Sequence, residues 1–337
     1  MEQEVVLEVK NLKTYFYNYD RELRAVDDLS YKVHRGECVA IIGESGSGKT
    51  VSALSILRLV SYPPGLIMGG QIMFKGKDLL QMSDEEYRQI RGSDISMIFQ
   101  EPSAALNPVA SIGAQITENI MLHSDMKKED AWKRAVELLT EVGIPNAEER
   151  VKQYPFEFSG GMQQRAMIAM AMSCNPEVLI ADEPTTALDV TVQAQVLEQL
   201  NKLRRDHNMA LIIITHNLGV VARYADSVKI MYGGKIVEDG SVMDVFRNPS
   251  HPYTLGLIRA VPRLDLPRSH GLHTIEGEPP DMSKIGPNCC AFHLRCKYAD
   301  EKCATCRPEL EQVGEGHYCA CFHRDLLDEE REEVLHA

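Results

Sequence analysis

Short runs of mostly apolar residues recur along the chain, and several of them end at a polar or charged side chain. These runs are Cys38–Ile42, Asp94–Phe99, Val178–Ala181 and Ala210–Thr215. Apolar runs of this length are typical of strands that are buried on both faces of a parallel sheet. In open α/β sheets, ligands bind where such strands end. The pattern therefore predicts an α/β fold with a ligand site built from strand ends.

Apolar residues at helical spacing occupy longer segments of the chain. They predict helices over Ile112–Val142 (interrupted at His123–Asp125), Met162–Met172 and Thr191–Leu203. Ser83, with Glu86 three residues later, is typical of a helix start. Pro102 and Pro108, by contrast, predict that no helix follows immediately after the strand that ends at Phe99.

The two ends of the chain show other patterns. Glu4–Val9 and Ala25–Val33 mix apolar and polar positions as half-buried strands do, and Gly69–Gly76 is typical of a short strand between turns. Val228–Glu238, with a glycine pair at its centre, predicts a β-hairpin. Near residue 250 proline and cysteine become frequent and the periodicity fades, which predicts a domain boundary there.

Composition narrows the class of protein. The 337 residues suit roughly two domains, and 44% of them are hydrophobic, which is enough for a substantial core. No apolar run approaches the roughly 20 residues that span a bilayer, and the chain does not begin like a signal peptide. A formal net charge of -13 without a basic stripe argues against nucleic acid as a partner. These features predict a cytosolic protein that reaches a membrane, if at all, by docking on a membrane protein.

A glycine-rich stretch lies between the first buried strand and a predicted helix. It consists of Gly43, Glu44, Ser45, Gly46, Ser47, Gly48, Lys49 and Thr50. The glycines let backbone N–H groups turn inward around phosphate oxygens, and the N-terminus of the following helix adds partial positive charge. In this pattern the lysine reaches the β- and γ-phosphates, and the threonine hydroxyl binds Mg²⁺. The stretch therefore predicts a site for a nucleoside triphosphate with Mg²⁺.

The other strand ends carry residues that suit phosphoryl transfer to water. Asp182 is a carboxylate suited to Mg²⁺, and Glu183 can polarise an attacking water. Gln100 can reach metal or water, and His216 can contact the γ-phosphate. Each has a simpler interpretation when taken alone, since a carboxylate pair can be a solvated turn and a histidine a satisfied core residue. Together they predict ATP hydrolysis.

The order of these motifs resembles that of the ATP-binding subunits of ABC transporters. It comprises the Walker A motif Gly43–Thr50, the Q-loop glutamine Gln100, the signature Phe158–Met162, the Walker B strand Val178–Glu183, the D-loop Ala187–Asp189 and the H-loop histidine His216. The resemblance implies a P-loop NTPase fold with a RecA-like core, an antiparallel β subdomain and a helical subdomain. The helical subdomain, at about residues 101–172, would dock on the permease, with Gln100 at its hinge.

In this family two ATP molecules lie between the subunits of a head-to-tail dimer. The residues that would face the partner's nucleotide are Ser159, Gly160, Gly161 and Met162, with Asp189 in the neighbouring D-loop. The signature departs from the common Leu-Ser-Gly-Gly-Gln at its first and last residues, but the serine and glycines that contact phosphate remain. Asn217 stands where an aspartate is common. Phe16 lies where the family has an adenine-stacking aromatic, with an ordinary strand aromatic as the alternative.

Two further stretches resemble the peptide/nickel importer branch of the family, namely Tyr154–Met162 and His251–Leu264. Met162 in particular is similar to the D-type subunit. The resemblance implies an ATP hydrolase coupled to import of dipeptides or oligopeptides. Residues 1–250 would form the ABC ATP-binding domain. Residues 251–337 would form the oligopeptide/dipeptide-transporter C-terminal domain, a small Cys-rich extension.

The same resemblance implies partners and a location. The partners are an F-type ATPase paralogue in a heterodimer (a homodimer is the alternative), two transmembrane permease subunits and an extracytoplasmic peptide-binding protein. The chain would be peripheral, on the cytoplasmic face of the inner cell membrane. Cargo stays open, because the ATPase chain is not expected to touch it, so nickel, glutathione or another small solute are alternatives. A soluble ABC ATPase acting on ribosomes or DNA usually has two fused ATP domains, a coiled-coil insertion or basic patches, which this sequence lacks.

Seven of the nine cysteines lie between Cys289 and Cys321, and such clustering in a cytosolic protein points to metal more than to disulfides. The candidate ligands are Cys290, Cys296, Cys303 and Cys321. Their spacing is similar to the Cys-x5-Cys-x6-Cys…Cys pattern with which dipeptide-importer subunits hold a [4Fe–4S] cluster, and four loop thiolates suit such a cluster. Zn²⁺ and free thiols are the alternatives. Cys289, Cys306 and Cys319 would be spare.

Overall fold

The computed structural model describes residues 4–18, 21–186, 188–262, 273–279, 281–283, 285–327 and 331. Three residues of the predicted motifs, Ala187, Arg263 and Leu264, lie outside the described residues. The chain groups into two compact units, each assembled from segments that are distant in sequence. One is built mainly from Phe74–Ile214, and we call it the Walker B unit. The other, which we call the phosphate-loop unit, is built mainly from Glu8–Tyr31, Cys38–Met73 and the residues after Ile214.

The elements follow in chain order. The described strands are β1 (Val5–Asn18), β2 (Arg21–His34), β3 (Cys38–Ile42), β4 (Gly65–Phe74), β5 (Lys77–Asp78), β6 (Ile95–Ile98), β7 (Val178–Asp182), β8 (Ala210–Thr215), β9 (Ser227–Tyr232), β10 (Lys235–Ser241), β11 (Glu311–Gly314) and β12 (His317–Cys319). The described helices are α1 (Lys49–Ile56), α2 (Asp84–Ile90), α3 (Pro102–Ala105), α4 (Ile112–His123), α5 (Lys128–Glu141), α6 (Ala147–Arg150), α7 (Gly160–Ala171), α8 (Val190–His207), α9 (Leu218–Tyr224), α10 (Val242–Arg247), α11 (Pro252–Arg259) and α12 (Glu301–Thr305). None of these helices is long and apolar enough to cross a bilayer.

Parallel strands form the centre of the Walker B unit. β7 pairs with β6 on one side and with β8 on the other, with Ile98 opposite Ala181 and Asp182 opposite Ile214. Every residue of these strands is buried, which confirms the predicted buried strands and explains why both of their faces are apolar. Because parallel strands end at the same edge, the residues that follow β6 and β7 become neighbours.

The helices of the Walker B unit match the periodicity, with one exception. The predicted break after α4 is confirmed, since α4 ends at His123 and α5 begins at Lys128. The predicted start at Ser83 is also confirmed, because Ser83 and Glu86 form a reciprocal capping box. The prediction that no helix follows β6 is wrong, because α3 begins at Pro102. Proline suits a first helical position, where its missing N–H would have no partner anyway.

The phosphate-loop unit contains a mixed group of strands. β3 pairs in parallel with β9, and β9 turns back into the antiparallel β10 through Gly233 and Gly234, whose φ angles are +58° and +77°. This confirms the predicted hairpin. β10 then pairs with β12, and β12 pairs with β11, so residues beyond 250 extend the same group of strands. Elsewhere β2, β1 and β4 lie side by side, and each is longer than the sequence pattern predicted.

A buried carboxylate ties the end of this hairpin to the residues after 250. Glu238 is fully buried and accepts hydrogen bonds from Ser250 N at 2.6 Å and His251 N at 2.9 Å, and it pairs with His317 Nε2 at 2.8 Å. A buried carboxylate needs such donors, because it has lost its water. Burial also lowers the pKa of His251 to about 3, so its neutral Nδ1 accepts from Tyr253 N at the start of α11.

Candidate active site

The glycine-rich loop between β3 and α1 is shaped by contacts that a side chain would not tolerate. A Cβ on Gly48, whose φ is +100°, would lie 2.1 Å from the Ala25 carbonyl oxygen. A Cβ on Gly43 would lie 2.2 Å from the Met231 carbonyl oxygen. Gly46 has a φ of +78°, but its Cβ position has no neighbouring atom within 4 Å. Two glycines thus allow close packing, and the third borders open space.

Lys49 lies along the inside of this loop. Its Nζ donates to Gly43 O at 2.7 Å and to Glu44 O at 2.9 Å, and the residue is 6% exposed. These carbonyl oxygens satisfy a buried ammonium and hold it inside the predicted phosphate cradle. Thr50 and Ser45 are exposed, whereas Ser47 is buried.

Tyr15 and Phe16 are neighbours in the sequence, but their side chains have different surroundings. Tyr15 is buried, its hydroxyl donates to Asp27 Oδ1 at 2.8 Å, and burial with that hydrogen bond raises its pKa to about 12. Phe16 is half-buried, and its ring lies so close to Gly65 that a Cβ there would be 2.8 Å from Cε1. Tyr15 is therefore engaged within the fold, whereas the Phe16 ring is partly exposed.

His216 follows directly after β8 and is exposed. The next residue, Asn217, caps α9 and accepts hydrogen bonds from Gly219 N at 2.9 Å and Val220 N at 3.3 Å. Asparagine and aspartate are equally good helix caps, so the departure at position 217 keeps this local structure. His216 belongs to the phosphate-loop unit, whereas Gln100, Asp182 and Glu183 belong to the Walker B unit.

In the Walker B unit, the predicted residues Asp182 and Glu183 lie at the end of β7. Glu183 contacts the predicted residue Gln100 and also Thr186. Asp182 is 3% exposed, and Glu183 has a φ of +44°, in the left-handed region. Gln100 Nε2 donates to Glu183 Oε2 at 3.1 Å, and Thr186 Oγ1 donates to the same oxygen at 2.9 Å. Glu183 N donates to Ile214 O at 2.9 Å, which fixes the backbone of the turn. Two donors and a constrained backbone thus orient one carboxylate, and such local strain is typical of functional sites.

Thr186 is the residue of this cluster that sequence reasoning missed. Its signal was local, because a threonine three residues after a carboxylate in a turn is well placed for a side-chain hydrogen bond. Gln100, by contrast, is 83 residues from Glu183, and the parallel pairing of β6 with β7 brings them together.

The signature residues lie at an open helix start. Ser159 caps α7, its Oγ accepting from Met162 N at 3.4 Å, and both Ser159 and Gly160 are exposed. No neighbouring atom lies within 4 Å of the Cβ position of Gly160, whereas Gly161 would place a Cβ 3.0 Å from Val192 Cγ1. An exposed helix N-terminus with unfilled space beside it can bind an anion.

Asp189, the described acidic residue of the predicted D-loop, caps the neighbouring helix α8. Its Oδ1 accepts from Thr191 N and Val192 N, both at 3.1 Å. The side chain is exposed, so the D-loop ends at an ordered turn on the surface of the Walker B unit.

The four predicted cysteine ligands converge in the phosphate-loop unit. All of them line one small cavity, together with His251, Pro252, Phe292, His293, Phe322 and His323. All are free thiols, and burial raises the pKa of Cys290 to about 12 and that of Cys321 to about 11. The predicted spare thiols Cys289, Cys306 and Cys319 do not line this cavity.

Comparison with known proteins agrees with these motifs. The sequence matches the ABC transporter family over residues 26–186 and the family "Oligopeptide/dipeptide transporter, C-terminal region" over residues 237–303. The oligopeptide transport ATP-binding protein AppD of Bacillus subtilis (strain 168) is 49% identical over 325 residues, covering 96% of this chain and 98% of AppD. The dipeptide transport ATP-binding protein DppD of the same strain is 47% identical over 322 residues, covering 96% of each chain.

A solved structure agrees as well. The dimeric structure of MJ0796, a bacterial ABC transporter cassette, superposes with a TM-score of 0.63 at 25% identity, covering 70% of this chain and 98% of the cassette. The resemblance inferred from the motifs, the P-loop NTPase fold and the D-type subunit are thereby confirmed. The chain therefore belongs to the ATP-hydrolysing subunits of ABC transporters and carries the C-terminal region of the oligopeptide/dipeptide branch.

Proposed function

We propose that this chain hydrolyses ATP to drive the import of dipeptides or oligopeptides. As a member of its family it dimerises and works with membrane permeases, in peripheral association with the membrane. The finer assembly belongs to the proposal: an F-type ATPase paralogue as the second subunit, a peptide-binding protein outside the cell, and a location on the cytoplasmic face. The peptide cargo is supported by the matching C-terminal region and by the names of the relatives. The same motor with nickel or glutathione as cargo is the alternative.

The observation that carries the proposed chemistry is the orientation of Glu183. Because Gln100 and Thr186 donate to the same carboxylate oxygen, the carboxylate is held in one orientation at the end of β7. A carboxylate held in this way can accept a proton from an attacking water at a defined atom. Gln100 would then couple this carboxylate to the segment that follows β6, at the hinge of the helical subdomain.

The nucleotide itself would be bound by main-chain groups and a few side chains. Residues 43–50 would hold the phosphates, with Lys49 on the β- and γ-phosphates, and Phe16 would stack on adenine. His216 would contact the γ-phosphate. Thr50 and Asp182 are hard oxygen donors of the kind that Mg²⁺ prefers, and Mg²⁺ neutralises phosphate charge when it is bound with ATP.

The partner's nucleotide would be bound by the signature turn. Ser159, Gly160, Gly161 and Met162 would face its γ-phosphate, with Asp189 beside them in the D-loop. The exposed start of α7 and the open space at Gly160 support this role. Residues 101–172 would dock on the permease. In support of this, Met121 and Leu122 are exposed beside a groove that Trp132 also lines.

We propose that residues 1–250 form the ATP-binding domain and residues 251–337 the C-terminal domain. The two domains differ in function but share strands, because β12 of the C-terminal domain pairs with β10 of the ATP-binding domain.

Replacing Glu183 with glutamine tests the proposed chemistry. The Glu183→Gln variant keeps the shape and the hydrogen-bond acceptor but cannot take a proton, so we expect kcat to fall about 1,000-fold. MgATP binding should be retained, and a dimer should accumulate with ATP. The measurements are phosphate release, equilibrium nucleotide binding and size-exclusion chromatography. Turnover like that of the wild type would remove Glu183 from its role.

We further propose that Cys290, Cys296, Cys303 and Cys321 hold a [4Fe–4S] cluster that cross-links and stabilises the C-terminal region. The four thiols line one cavity, and thiolate donors suit iron–sulfur clusters. When bound, the cluster would supply cross-links among the loop that contains Cys290 and Cys296, helix α12 and the residues after β12. Arg295 and the other residues between the first two thiols would be ordered by it.

The four sulfur atoms are not grouped as tightly as the ligands of a single Zn²⁺. A single Zn²⁺ with four sulfurs at about 2.3 Å places those sulfurs about 3.8 Å apart in a tetrahedron. Among the described residues, no three of these cysteines have sulfurs that all lie within 4.8 Å of one another. The one described group that meets this criterion is Asp300, Cys303 and His323, in which Asp300 already accepts from Cys303 N and pairs with His323.

Metal analysis of protein purified without oxygen tests the cluster. We expect iron, acid-labile sulfide and visible absorbance, all lost in Cys296→Ser. They should be retained in Cys306→Ser, whose exposed thiol lies outside the cavity. A colourless protein without iron would overturn the proposal, and zinc in its place would establish the alternative.

A further inference from the structure

We propose that Arg295 of the C-terminal region positions the phosphate loop for ATP. The inference concerns contacts inside the phosphate-loop unit and rests on the proposed role of residues 43–50 in binding ATP. It makes the C-terminal region part of the nucleotide site, as a brace that sets the position and charge of Glu44.

Arg295 forms a bidentate ion pair with Glu44 through the two terminal nitrogens of its guanidinium. One terminal nitrogen, Nη1, donates to Glu44 Oε2 at 2.7 Å, and the other, Nη2, donates to Glu44 Oε1 at 3.2 Å. The Arg295 side chain is 6% exposed, so water screens this pair little. Two-pronged arginine–carboxylate pairs combine strength with a defined geometry. Glu44 is the second residue of the loop, so this pair fixes the loop from its first turn.

Arg295 is itself held rigidly. Its Nε donates to Glu276 O at 2.9 Å, and Nη1 also donates to the Tyr232 hydroxyl at 3.3 Å. Its guanidinium lies 5.9 Å from the ring centroid of Tyr232 and 6.0 Å from that of Phe292. The side chain therefore has one ordered position, and Glu44 is the carboxylate paired with it there.

The main chain of Glu44 is held by the same region. Glu44 N donates to the Tyr253 hydroxyl at 2.9 Å, and Tyr253 is fully buried. Tyr253 takes its place in the first turn of α11, which His251 caps and Pro252 begins. The His-Pro-Tyr sequence that resembles the importer branch thus ends in a contact with the phosphate loop.

The hairpin turn supplies a third connection. Ala291 of the C-terminal region packs so closely on Gly233 that a Cβ there would lie 2.7 Å from the Ala291 Cβ. The next residue, Gly234, donates from its N–H to Ser47 O at 3.1 Å. The C-terminal region therefore supports the loop both at Glu44 and, through the hairpin, at Ser47.

This arrangement has two consequences for a bound polyphosphate. The brace keeps the loop backbone in one shape, so that less ordering is needed when ATP binds. Arg295 also neutralises the Glu44 carboxylate, which would otherwise leave an uncompensated negative charge on the phosphate loop. Loss of Arg295 should therefore weaken ATP binding more than it slows hydrolysis of ATP that is already bound.

The test compares MgATP binding and steady-state hydrolysis in full-length variants purified without oxygen. Arg295→Met keeps the length and the packing of the side chain, and we expect it to raise the MgATP dissociation constant and KM about tenfold. The kcat at saturating ATP should change less than about twofold, because the residues proposed for hydrolysis lie elsewhere. Arg295→Lys should give an intermediate dissociation constant. Removing the unpaired charge as well, in Glu44→Gln with Arg295→Met, should restore much of the lost affinity.

Two controls separate this inference from its alternatives. Arg307→Met removes another ion pair of the C-terminal region, with Asp28 at 3.2 Å, that does not touch the phosphate loop. It should leave the MgATP dissociation constant unchanged. Equal weakening by Arg295→Met and Arg307→Met would mean general loosening and would overturn the inference, as would a double variant no tighter than Arg295→Met.

Lys49→Ala distinguishes failure of the inference from failure of the proposed ATP site. If Lys49→Ala abolishes binding while Arg295→Met binds like the wild type, the brace is wrong and the site stands. If Lys49→Ala binds MgATP normally, residues 43–50 do not hold ATP, and the inference falls with them. Circular dichroism confirms that each variant is folded before binding is measured.

Discussion

The phosphate loop and the turn after β7 are both short loops at strand ends, but they are held in different ways. In the phosphate loop, glycines allow close main-chain approaches to Ala25 and Met231, and Arg295 braces Glu44 from outside. In the turn after β7, side-chain hydroxyl and amide groups converge on the Glu183 carboxylate. One loop is held by main-chain packing and an ion pair, and the other orients one carboxylate through side-chain hydrogen bonds. The difference indicates that binding and chemistry can be disrupted separately.

The largest expected effect in the phosphate loop comes from Gly48→Ala. A Cβ there would lie 2.1 Å from Ala25 O, and φ of +100° disfavours any side chain, so the loop must shift. We expect a loss of about 3 kcal/mol in the free energy of unfolding and a rise of about 100-fold in the MgATP dissociation constant. Urea unfolding without nucleotide and equilibrium binding measure the two quantities.

Gly46→Ala is the matched control for that change. Its φ is also positive, but its Cβ would meet no atom within 4 Å, so only backbone strain of about 1 kcal/mol is expected. Equal loss of stability in Gly46→Ala and Gly48→Ala would show that close packing does not shape the loop.

A smaller effect is expected from Thr186→Val, which changes the turn after β7. The variant keeps the shape of the side chain but removes one of the two donors to Glu183 Oε2. We expect kcat to fall about tenfold while the MgATP dissociation constant stays unchanged. Thr186→Ser, which keeps the hydroxyl, should recover most of the activity. A rise in the dissociation constant instead of a fall in kcat would break the proposed separation of binding from chemistry.

The smallest effect is expected at the proposed base-stacking residue. Phe16→Ala should raise the MgATP dissociation constant about fivefold, because stacking on one base contributes about 1 kcal/mol or more. The loss should be similar for other nucleoside triphosphates, since every base has a stacking face. Tyr15→Phe should not change binding, because the Tyr15 hydroxyl is engaged with Asp27. Weaker binding in Tyr15→Phe together with unchanged binding in Phe16→Ala would overturn the proposed role of Phe16.

Much of the fold could be predicted because burial leaves a local pattern in the sequence. The strands β6, β7 and β8 are buried on both faces, and their sequences are apolar at nearly every position. The capping box at Ser83 and the hairpin at Gly233 depend on neighbouring residues alone, and both were predicted. The helix at Pro102 was not predicted, because proline is excluded from helix interiors but suits a first turn.

The sequence by itself determined the phosphate loop, the order of the motifs and the cysteine spacing, since each depends on residue type at short separation. Only the tertiary structure decided which of these residues meet. Gln100 reaches Glu183 across 83 residues, and Arg295 reaches Glu44 across 251. Such contacts depend on strand pairing and loop packing, which periodicity does not record. The glycine-rich loop is therefore visible in the sequence, while the arginine that braces it became visible only once the chain was folded.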